Sequence, residues 1–232
     1  MTNIIQVDTY YLHAPGRTTP HEETLAAIDE LYKQGRFRRF GLSNFLPSEV
    51  ESMVRVAKEN GFVRPTVYQG NYSPVARMTE TLLFPILRKH GIAFYAYSPL
   101  AGGFLTKTRA QVEEGSTARF DRSTDLGKMY SALYHKESYL EALSRWDAIS
   151  QDSGIPKAEL AYRWMAHHSR LIGKQGDGLV FGATSLAQVR ETICGIERGP
   201  LPEDVVRRIE GVWEMVKHEA GLDTYNIDMI EK

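Results

Sequence analysis

The chain has little cysteine, no long apolar run and almost no net charge, and each of these features excludes a class of protein. Cys194 is the single cysteine among 232 residues, so an internal disulfide framework is impossible and a reducing compartment, the cytoplasm, is predicted. No apolar run approaches the roughly 18 residues of a membrane span, and the N-terminus lacks the regions of a secretory signal. The 28 basic and 29 acidic residues give a net charge of −1, which argues against a protein that binds nucleic acid or anionic membranes.

Short β-branched and aromatic segments alternate with helical patterns along most of the chain. Strands are predicted over residues 4–12, 39–42, 66–68, 92–97 and 178–182. Helices are predicted after the capping sequence Thr18–Pro20 and over residues 47–59, 79–89, 137–151, 157–168, 186–195 and 202–220. Residues 101–136 lack a clear periodicity and are expected to form a long loop.

The resulting order, βαβαβαβ, a long connection and then βαα, predicts an α/β protein with a parallel sheet. Two architectures use this alternation, the eight-stranded barrel and the open doubly wound sheet. Doubly wound dinucleotide-binding proteins usually carry a glycine fingerprint after the first strand, whereas residues 13–17 read HAPGR. No linker divides the chain, so residues 1–232 are expected to form a single domain.

Polar side chains follow the ends of five predicted strands, where a barrel carries its functional site. These side chains are His13, Ser43 and Asn44, Gln69, Tyr97 and Ser98, and Thr184 and Ser185. Each has an ordinary structural alternative, since Asn44 is typical of turns, Ser185 of helix caps and Tyr97 of a core. Their recurrence after five strands favours a binding site.

The residue types point to recognition of a planar amide beside an acid–base group. Asn44 and Gln69 can both donate to and accept from a carboxamide, and the ring of Tyr97 can stack on a flat heterocycle. His13 can donate a hydrogen bond to a carbonyl oxygen that gains charge in a transition state. The pair Gly102–Gly103 and the helix start after the last strand offer backbone N–H groups that suit phosphate.

Four segments carry a family resemblance. They are Val7–Pro15 (VDTYYLHAP), Gly41–Phe45 (GLSNF), Pro65–Gly70 (PTVYQG) and Phe94–Gly103 (FYAYSPLAGG). Together they resemble the aldo-keto reductases and, within them, the aflatoxin-aldehyde reductase subfamily. The resemblance implies a (β/α)8 TIM barrel that uses NADPH to reduce an aldehyde or ketone, in detoxification or in secondary metabolism.

The resemblance also implies roles for individual residues. His13 would orient the substrate carbonyl, and Tyr130 would contact the substrate. Ser43, Asn44 and Gln69 would hold the nicotinamide carboxamide. The other implied NADPH contacts are Tyr97 on the nicotinamide ring, Ser98 to Thr108 around the pyrophosphate with Leu100, Gly102 and Gly103 among them, Arg119, and Thr184, Ser185, Gln188 and Thr192 at the adenosine end.

The same resemblance aligns the first predicted strand with the fourth strand of the family's barrel. The chain is therefore expected to be an incomplete barrel with strands four to eight, and the family's catalytic tyrosine, lysine and aspartate would lie outside it. A complementing N-terminal segment or a second copy of the chain is expected to cover the open sheet edges. The alternative is a catalytically inactive truncated reductase or a non-catalytic interaction subunit.

Other reaction types find less support in the sequence. Gly41–Phe45 lacks the second glycine of a hydrolase nucleophile elbow, and His167–His168 lacks the spacing of a zinc motif, so no metal is expected. Leu133 lies near the position where close relatives carry an anion-binding arginine. The C-terminal residues 225–232 lack the relatives' arginine-terminated tail. Both departures favour a bulkier or less charged carbonyl substrate over a dicarboxylate-type semialdehyde.

Overall fold

A computed structural model describes residues 6–115, 118–223 and 225–226 of the protein. Residues 4 and 5 of the first predicted strand and residues 227–232 of the C-terminal tail lie outside this described part. The strands are β1 Val7–Leu12, β2 Phe37–Ser43, β3 Pro65–Asn71, β4 Ala93–Tyr97 and β5 Gly178–Leu179. They form one sheet in the order β1-β2-β3-β4-β5.

The pairing of the first three strands is parallel. Leu12 of β1 lies opposite Leu42 of β2, and Ser43 of β2 lies opposite Gln69 of β3. The carboxyl ends of these strands therefore meet at one edge of the sheet. The predicted α/β class with a parallel five-stranded sheet is confirmed.

Helices follow the strands in the expected alternation, and within the described residues none is long and apolar enough to cross a membrane. The α-helices are α1 His21–Lys33, α2 Pro47–Asn60, α3 Thr79–Leu82, α4 Phe84–His90, α5 Arg109–Glu114, α6 Asp125–Tyr134, α7 Glu137–Ser153, α8 Lys157–His167, α9 Leu186–Glu197 and α10 Glu203–Val216. Shorter 3₁₀ helices cover Ala101–Thr106, Ala118–Phe120 and Gly173–Gln175.

The prediction of a long loop over residues 101–136 was wrong, because helices cover much of this segment. Thr108 caps α5 by accepting a hydrogen bond from the N–H of Gln111, and Thr124 caps α6 by accepting one from the N–H of Gly127. These helices are short, six and ten residues, so no apolar repeat has room to develop. The capping residues Thr108 and Thr124 are the sequence features from which α5 and α6 could have been predicted.

Several predicted bounds also need correction. The helix predicted over residues 79–89 is divided into α3 and α4, and Pro85 lies in the first turn of α4, where its missing N–H costs nothing. Helix α1 begins after Pro20 without a side-chain cap, so the threonines before it do not play the predicted role. The last strand has two residues rather than five, and α10 ends at Val216 rather than Ala220.

The chain divides into two compact units, which are described separately. The first unit comprises the described part of Met1–Gly70, with Glu80–Tyr95 and Gly173–Gly178, and the second comprises Asn71–Thr79, Ala96–Ile172 and the described part of Leu179–Lys232. The expected single domain over the whole chain stays a prediction.

A buried carboxylate lies in the first unit, next to β5. Asp177 has no exposed side-chain surface and forms a two-pronged ion pair with the guanidinium of Arg88. It also accepts a hydrogen bond of 2.8 Å from the backbone N–H of Phe94 in β4. One carboxylate thereby links α4, β4 and the segment that leads into β5.

The core of the second unit holds a stacked cation. The guanidinium of Arg77 lies 4.7 Å from the ring centroid of Trp164 and 5.6 Å from that of Trp213. Glu210 binds Arg77 at 2.6 Å and accepts a hydrogen bond from the indole N–H of Trp164. Trp146 of α7 is fully buried in the same unit.

The lowered pKa of Asp29 in α1 is expected to make the stability of the folded chain depend on pH. Lys33, together with the N–H of Val63, holds the pKa of this buried carboxyl below its usual value against the opposing effect of burial. A lowered folded-state pKa contributes stability above the unfolded-state pKa, about 3.9 for aspartate, and loses it as the pH falls through the folded-state pKa. We expect Asp29→Asn to cost about 1 kcal/mol at pH 7 and progressively less below pH ~4.

Urea denaturation of both proteins at neutral and acidic pH measures this difference. Glu59→Gln is the matched control, because Glu59 forms an exposed ion pair with Arg55 on the neighbouring helix α2 and should change little at either pH. A deficit of Asp29→Asn that stays constant down to the lowest pH would contradict the assignment.

Candidate functional site

In the first unit, the segments after β1 and β2 are joined by the side chain of Asn44. Asn44 has a left-handed backbone conformation with φ of 59° and is 2% exposed. Its Nδ2 donates to the carbonyl oxygen of His13 at 2.7 Å and to the hydroxyl oxygen of Ser43 at 3.2 Å. Asparagine tolerates this conformation better than most residues, and the parallel pairing brings the two segments to the same edge. The structure thus brings together Ser43 and Asn44, predicted for the nicotinamide carboxamide, and His13, predicted for the substrate carbonyl.

Gln69 lies inside β3 rather than after its end, because β3 extends to Asn71. It is half-buried and lies opposite Ser43 in the ladder. Tyr11 of β1 lies opposite Gly41 of β2, and burial raises the pKa of its phenol. Sequence reasoning did not place the Tyr11 ring over Gly41, because this packing depends on strand register.

His13 is exposed just after β1, where its imidazole can reach a small molecule. Asn44 holds its backbone carbonyl, so the position of the residue is fixed at the sheet edge. A histidine in this position can donate a hydrogen bond to a substrate carbonyl.

In the second unit, the segment after β4 forms a strained turn. Ser98 and Ala101 have φ of 56° and 51°, and Gly102 and Gly103 have φ of 67° and 99°. Positive φ is unfavourable for residues with a side chain, and such strain is often found at functional sites. Within the turn, the N–H groups of Ala101 and Gly103 donate to the carbonyl oxygens of Ser98 and Leu100, at 2.7 and 2.9 Å, and so hold its shape. Tyr97 is half-buried at the end of β4.

Tyr130 packs directly on this turn. A Cβ atom on Gly102 would lie 2.0 Å from the Tyr130 ring, so a glycine is required there. The guanidinium of Arg119 lies 5.9 Å from the centroid of the same ring, within the range of a cation–π contact. The predicted cofactor-contacting arginine and substrate-contacting tyrosine therefore contact each other. Leu133, on the same helix α6, is 6% exposed.

The start of α9 holds three of the predicted adenosine-end residues. Ser185 caps the helix by accepting a hydrogen bond from the N–H of Gln188 at 3.2 Å. The side-chain oxygen of Gln188 accepts from both the N–H and the hydroxyl of Thr184, at 2.8 and 3.0 Å. Ser185 therefore does act as a helix cap, and these hydrogen bonds hold Thr184 and Gln188 in place beside it.

A cavity of about 690 Å³ opens in the second unit, a size typical of small-molecule sites. Leu100, Gln188 and Thr192 line it. Tyr162 is also on its wall, and burial raises the pKa of its phenol. The helical spacing i, i+3, i+4 from Gln188 points to Glu191 and Thr192 on one face of α9. Thr106, which lies within the predicted pyrophosphate segment Ser98 to Thr108, also lines the cavity, and the lining residues that sequence reasoning missed include Glu159, Arg190 and Arg198.

Charges on the cavity wall are partly paired. Arg198 binds Glu159 at 2.6 Å, and Arg163 binds the other oxygen of Glu159 at 3.0 Å. Glu159 is 10% exposed at its side chain, so these guanidinium groups hold it in place. The wall therefore combines apolar surface with fixed polar groups, as small-molecule sites do.

Comparison with known proteins identifies the chain. The profile of the Aldo/keto reductase family matches residues 3–214, and the chain belongs to that family. The oxidoreductase sirO of Leptosphaeria maculans is 46% identical over 215 residues, which cover 93% of this chain and 65% of sirO. An aldo-keto reductase of Pseudocercospora fijiensis (strain CIRAD86) is 42% identical over 216 residues, 91% of this chain and 72% of that protein.

Aflatoxin B1 aldehyde reductase member 2 of Homo sapiens is 41% identical over 222 residues, which cover 93% of this chain and 62% of the human protein. The chain thus spans 62–72% of the length of these three relatives. The resemblance to the aldo-keto reductases and to the aflatoxin-aldehyde reductases is confirmed. The roles of individual residues stay predictions.

Proposed function

We propose that the protein is an oxidoreductase that uses NADPH to reduce an aldehyde or ketone to an alcohol. The observation that carries the proposal is the 690 Å³ cavity lined by Leu100, Gln188 and Thr192. Three residues assigned to the cofactor from sequence share one cavity of suitable size. Membership of the family, whose members generally use a reduced nicotinamide cofactor, supports the same function.

The residues of the second unit fit the phosphate and adenosine parts of such a cofactor. The two glycines of the turn from Ser98 to Gly103 would let a pyrophosphate approach the backbone closely, and the amide and hydroxyl groups of Gln188 and Thr192 suit an adenosine. Arg119 adds a positive charge held over the Tyr130 ring. These groups would bind the cofactor mainly by hydrogen bonds and charge.

The residues of the first unit fit the reacting end. A bound reduced nicotinamide would supply the hydride, and the tyrosine that the family resemblance implies as the general acid would supply the proton of the alcohol. Ser43, Asn44 and Gln69 would hold its carboxamide through paired donor and acceptor groups. His13 would donate a hydrogen bond to the substrate carbonyl oxygen and so favour the charge that develops there. In the second unit, Tyr130 is the residue proposed to contact the substrate.

The relatives suggest the kind of substrate. One of them is named as a reductase of an aldehyde derived from aflatoxin B1, and an aldehyde is therefore the first substrate class to test. Leu133 lies near the position where the resemblance places an anion-binding arginine, and the lack of a positive charge on this residue favours a substrate without a second carboxylate. A role in detoxification or secondary metabolism belongs to the same proposal.

A protein that binds the cofactor without catalysis is the second candidate, and an assay separates the two. The chain is titrated with NADPH by fluorescence and then assayed with a nitrobenzaldehyde by the loss of nicotinamide absorbance. Saturable NADPH binding with turnover supports the proposed enzyme, and binding without turnover supports the non-catalytic alternative. The absence of binding would reject both.

Asn44→Gly tests the nicotinamide end of the proposed site. Glycine keeps the left-handed backbone at low cost, so the variant removes the amide without adding strain. We expect the affinity for NADPH to fall about tenfold, as for the loss of one well-placed hydrogen-bonding group. Asn60→Ala, at the exposed end of α2, is the control and should bind like the unchanged chain. Equal affinity of the two variants would remove Asn44 from the site.

A further inference from the structure

In the second unit, the α9–α10 connection (residues 198–202) is bound to α8 by side chains. Arg163 of α8 is buried, and it donates from Nε to the carbonyl oxygen of Gly199 at 2.8 Å and from Nη2 to that of Pro200 at 2.7 Å. Nη1 of the same guanidinium binds Glu159, which lies on the wall of the cavity, at 3.0 Å. One buried cation therefore joins the connection to the cavity wall.

The imidazole of His168, the residue that caps the C-terminal end of α8, makes a further contact with the connection. The backbone N–H of Leu201 donates to Nε2 of His168 at 2.8 Å. Because a backbone N–H can only donate, Nε2 carries no hydrogen and the imidazole is neutral. Leu201 is buried, so its N–H depends on this acceptor.

The adjacent His167 makes the opposite kind of hydrogen bond. Its Nε2 lies 2.9 Å from the carbonyl oxygen of Ile196, and a carbonyl oxygen can only accept, so Nε2 of His167 carries a hydrogen. This bond is retained when His167 takes up a proton, whereas the bond from Leu201 is lost when His168 takes one up. The two neighbouring histidines therefore respond differently to acid.

The surroundings of His168 favour its neutral form. Burial is the main reason that the pKa of His168 lies below its usual value, and the nearby His167 and Arg163 of α8 lower it further. Glu210 of α10 has the opposite effect, and it is itself bound to Arg77. A lowered histidine pKa means that the contact is fully present above about pH 6.5, the usual histidine value, and is lost as the pH falls through the folded-state pKa.

We propose that neutral His168 holds the α9–α10 connection against α8 and thereby keeps Arg198 in place on the wall of the proposed cofactor cavity, so that acid weakens binding there. Arg198 is the first residue of the connection, lines the cavity and binds Glu159 at 2.6 Å. Once protonated, His168 presents an N–H to the N–H of Leu201 and a second positive charge to Arg163. The connection then loses one attachment next to the wall.

The inference rests on the proposed function, because the ligand concerned is the adenosine end of the proposed cofactor. The probe is 2′-phospho-ADP-ribose, which has the adenosine and pyrophosphate parts of NADPH without the acid-labile dihydronicotinamide. Its affinity is measured by calorimetry at about pH 7.5 and about pH 5.5, on either side of the usual histidine pKa.

His168→Gln is the variant that removes the titration and keeps an acceptor, because the glutamine carbonyl oxygen can accept from Leu201 at any pH. Between the two pH values, we expect the unchanged chain to lose about threefold to tenfold more affinity than this variant, the effect of one hydrogen bond. Protonation of the ligand's own phosphate is common to both proteins and cancels in the comparison.

His167→Gln is the matched control, because a glutamine amide can donate to the carbonyl of Ile196 as His167 does. His168 is unchanged in this control, so its loss of affinity in acid should remain. His168→Ala removes the acceptor at every pH and should lower the affinity about threefold to tenfold already at neutral pH.

A measurement on the unchanged chain gives an independent check. A ligand that binds more tightly when His168 is neutral must lower the pKa of His168 by the same free energy. Histidine NMR signals recorded against pH, with and without 2′-phospho-ADP-ribose, measure this change, and the spectrum of His168→Gln assigns the signal.

The outcomes distinguish this inference from the proposed function. An equal loss of affinity in the unchanged chain and in His168→Gln, or a His168 pKa that the ligand does not change, would overturn the role of His168 while the cofactor site stands. An unchanged chain that does not bind 2′-phospho-ADP-ribose at neutral pH would overturn the proposed function and, with it, this inference.

Discussion

Replacing Asp177 by alanine is expected to destabilise the folded chain by about 3–5 kcal/mol, the usual result of removing one partner of a buried ion pair. Asp177 has no exposed side-chain surface, and its partner Arg88 is 22% exposed. The variant leaves a largely buried guanidinium without its counter-ion and the N–H of Phe94 without its acceptor. Both groups lose hydrogen bonds to water on folding, and in the variant the carboxylate that replaced those bonds is absent.

Chemical denaturation followed by circular dichroism measures this loss. Asp152→Ala is the control, because Asp152 pairs with Arg208 on the surface, with side-chain exposures of 65% and 38%. Exposed pairs of this kind contribute at most about 1 kcal/mol. A free energy of unfolding that falls equally in both variants would show that the burial of Asp177 has no energetic consequence.

Replacing Gly102 by alanine is expected to disrupt the turn after β4 and the cofactor site proposed there. The new Cβ would lie 2.0 Å from the Tyr130 ring, and φ at this position is 67°. The variant therefore combines backbone strain of about 1–2 kcal/mol with overpacking of about 1–3 kcal/mol. A displaced Tyr130 also takes away the ring on which Arg119 rests, so we expect NADPH affinity to fall more than tenfold.

Gly103→Ala is the matched control for this prediction. Gly103 also has a positive φ, 99°, but no atom lies within 4 Å of a Cβ built on it. The control thus carries backbone strain without the collision, and both variants are compared by thermal unfolding and by NADPH titration. Losses of the same size in the two variants would mean that contact with Tyr130 does not matter.

Local patterns in the sequence predicted the parallel sheet and most of its edge residues. The β-branched and aromatic runs of β1, β3 and β4 are short and are followed by polar residues, so the strands and these polar positions are visible without a structure. Asn44 illustrates the success, since its place at a strand end and its tolerance of a left-handed backbone are both local properties.

Contacts between distant parts of the chain were not predictable in this way. The packing of the Tyr11 ring over Gly41 depends on the register of β1 and β2 and on the absence of a side chain at position 41. The packing of Tyr130 on Gly102 depends on helix α6, which is too short to reveal itself by periodicity. In both cases the sequence indicates the residue types, and tertiary packing decides which of them meet.

The three tryptophans have a spectroscopic consequence. Trp146, Trp164 and Trp213 all belong to the second unit, and Arg77 lies against two of them. Tryptophan emission therefore reports the unfolding of the second unit, whereas the far-ultraviolet signal sums over the peptide groups of both. Coincident transitions in the two signals would mark the units as one cooperative structure, and separate transitions would mark them as two.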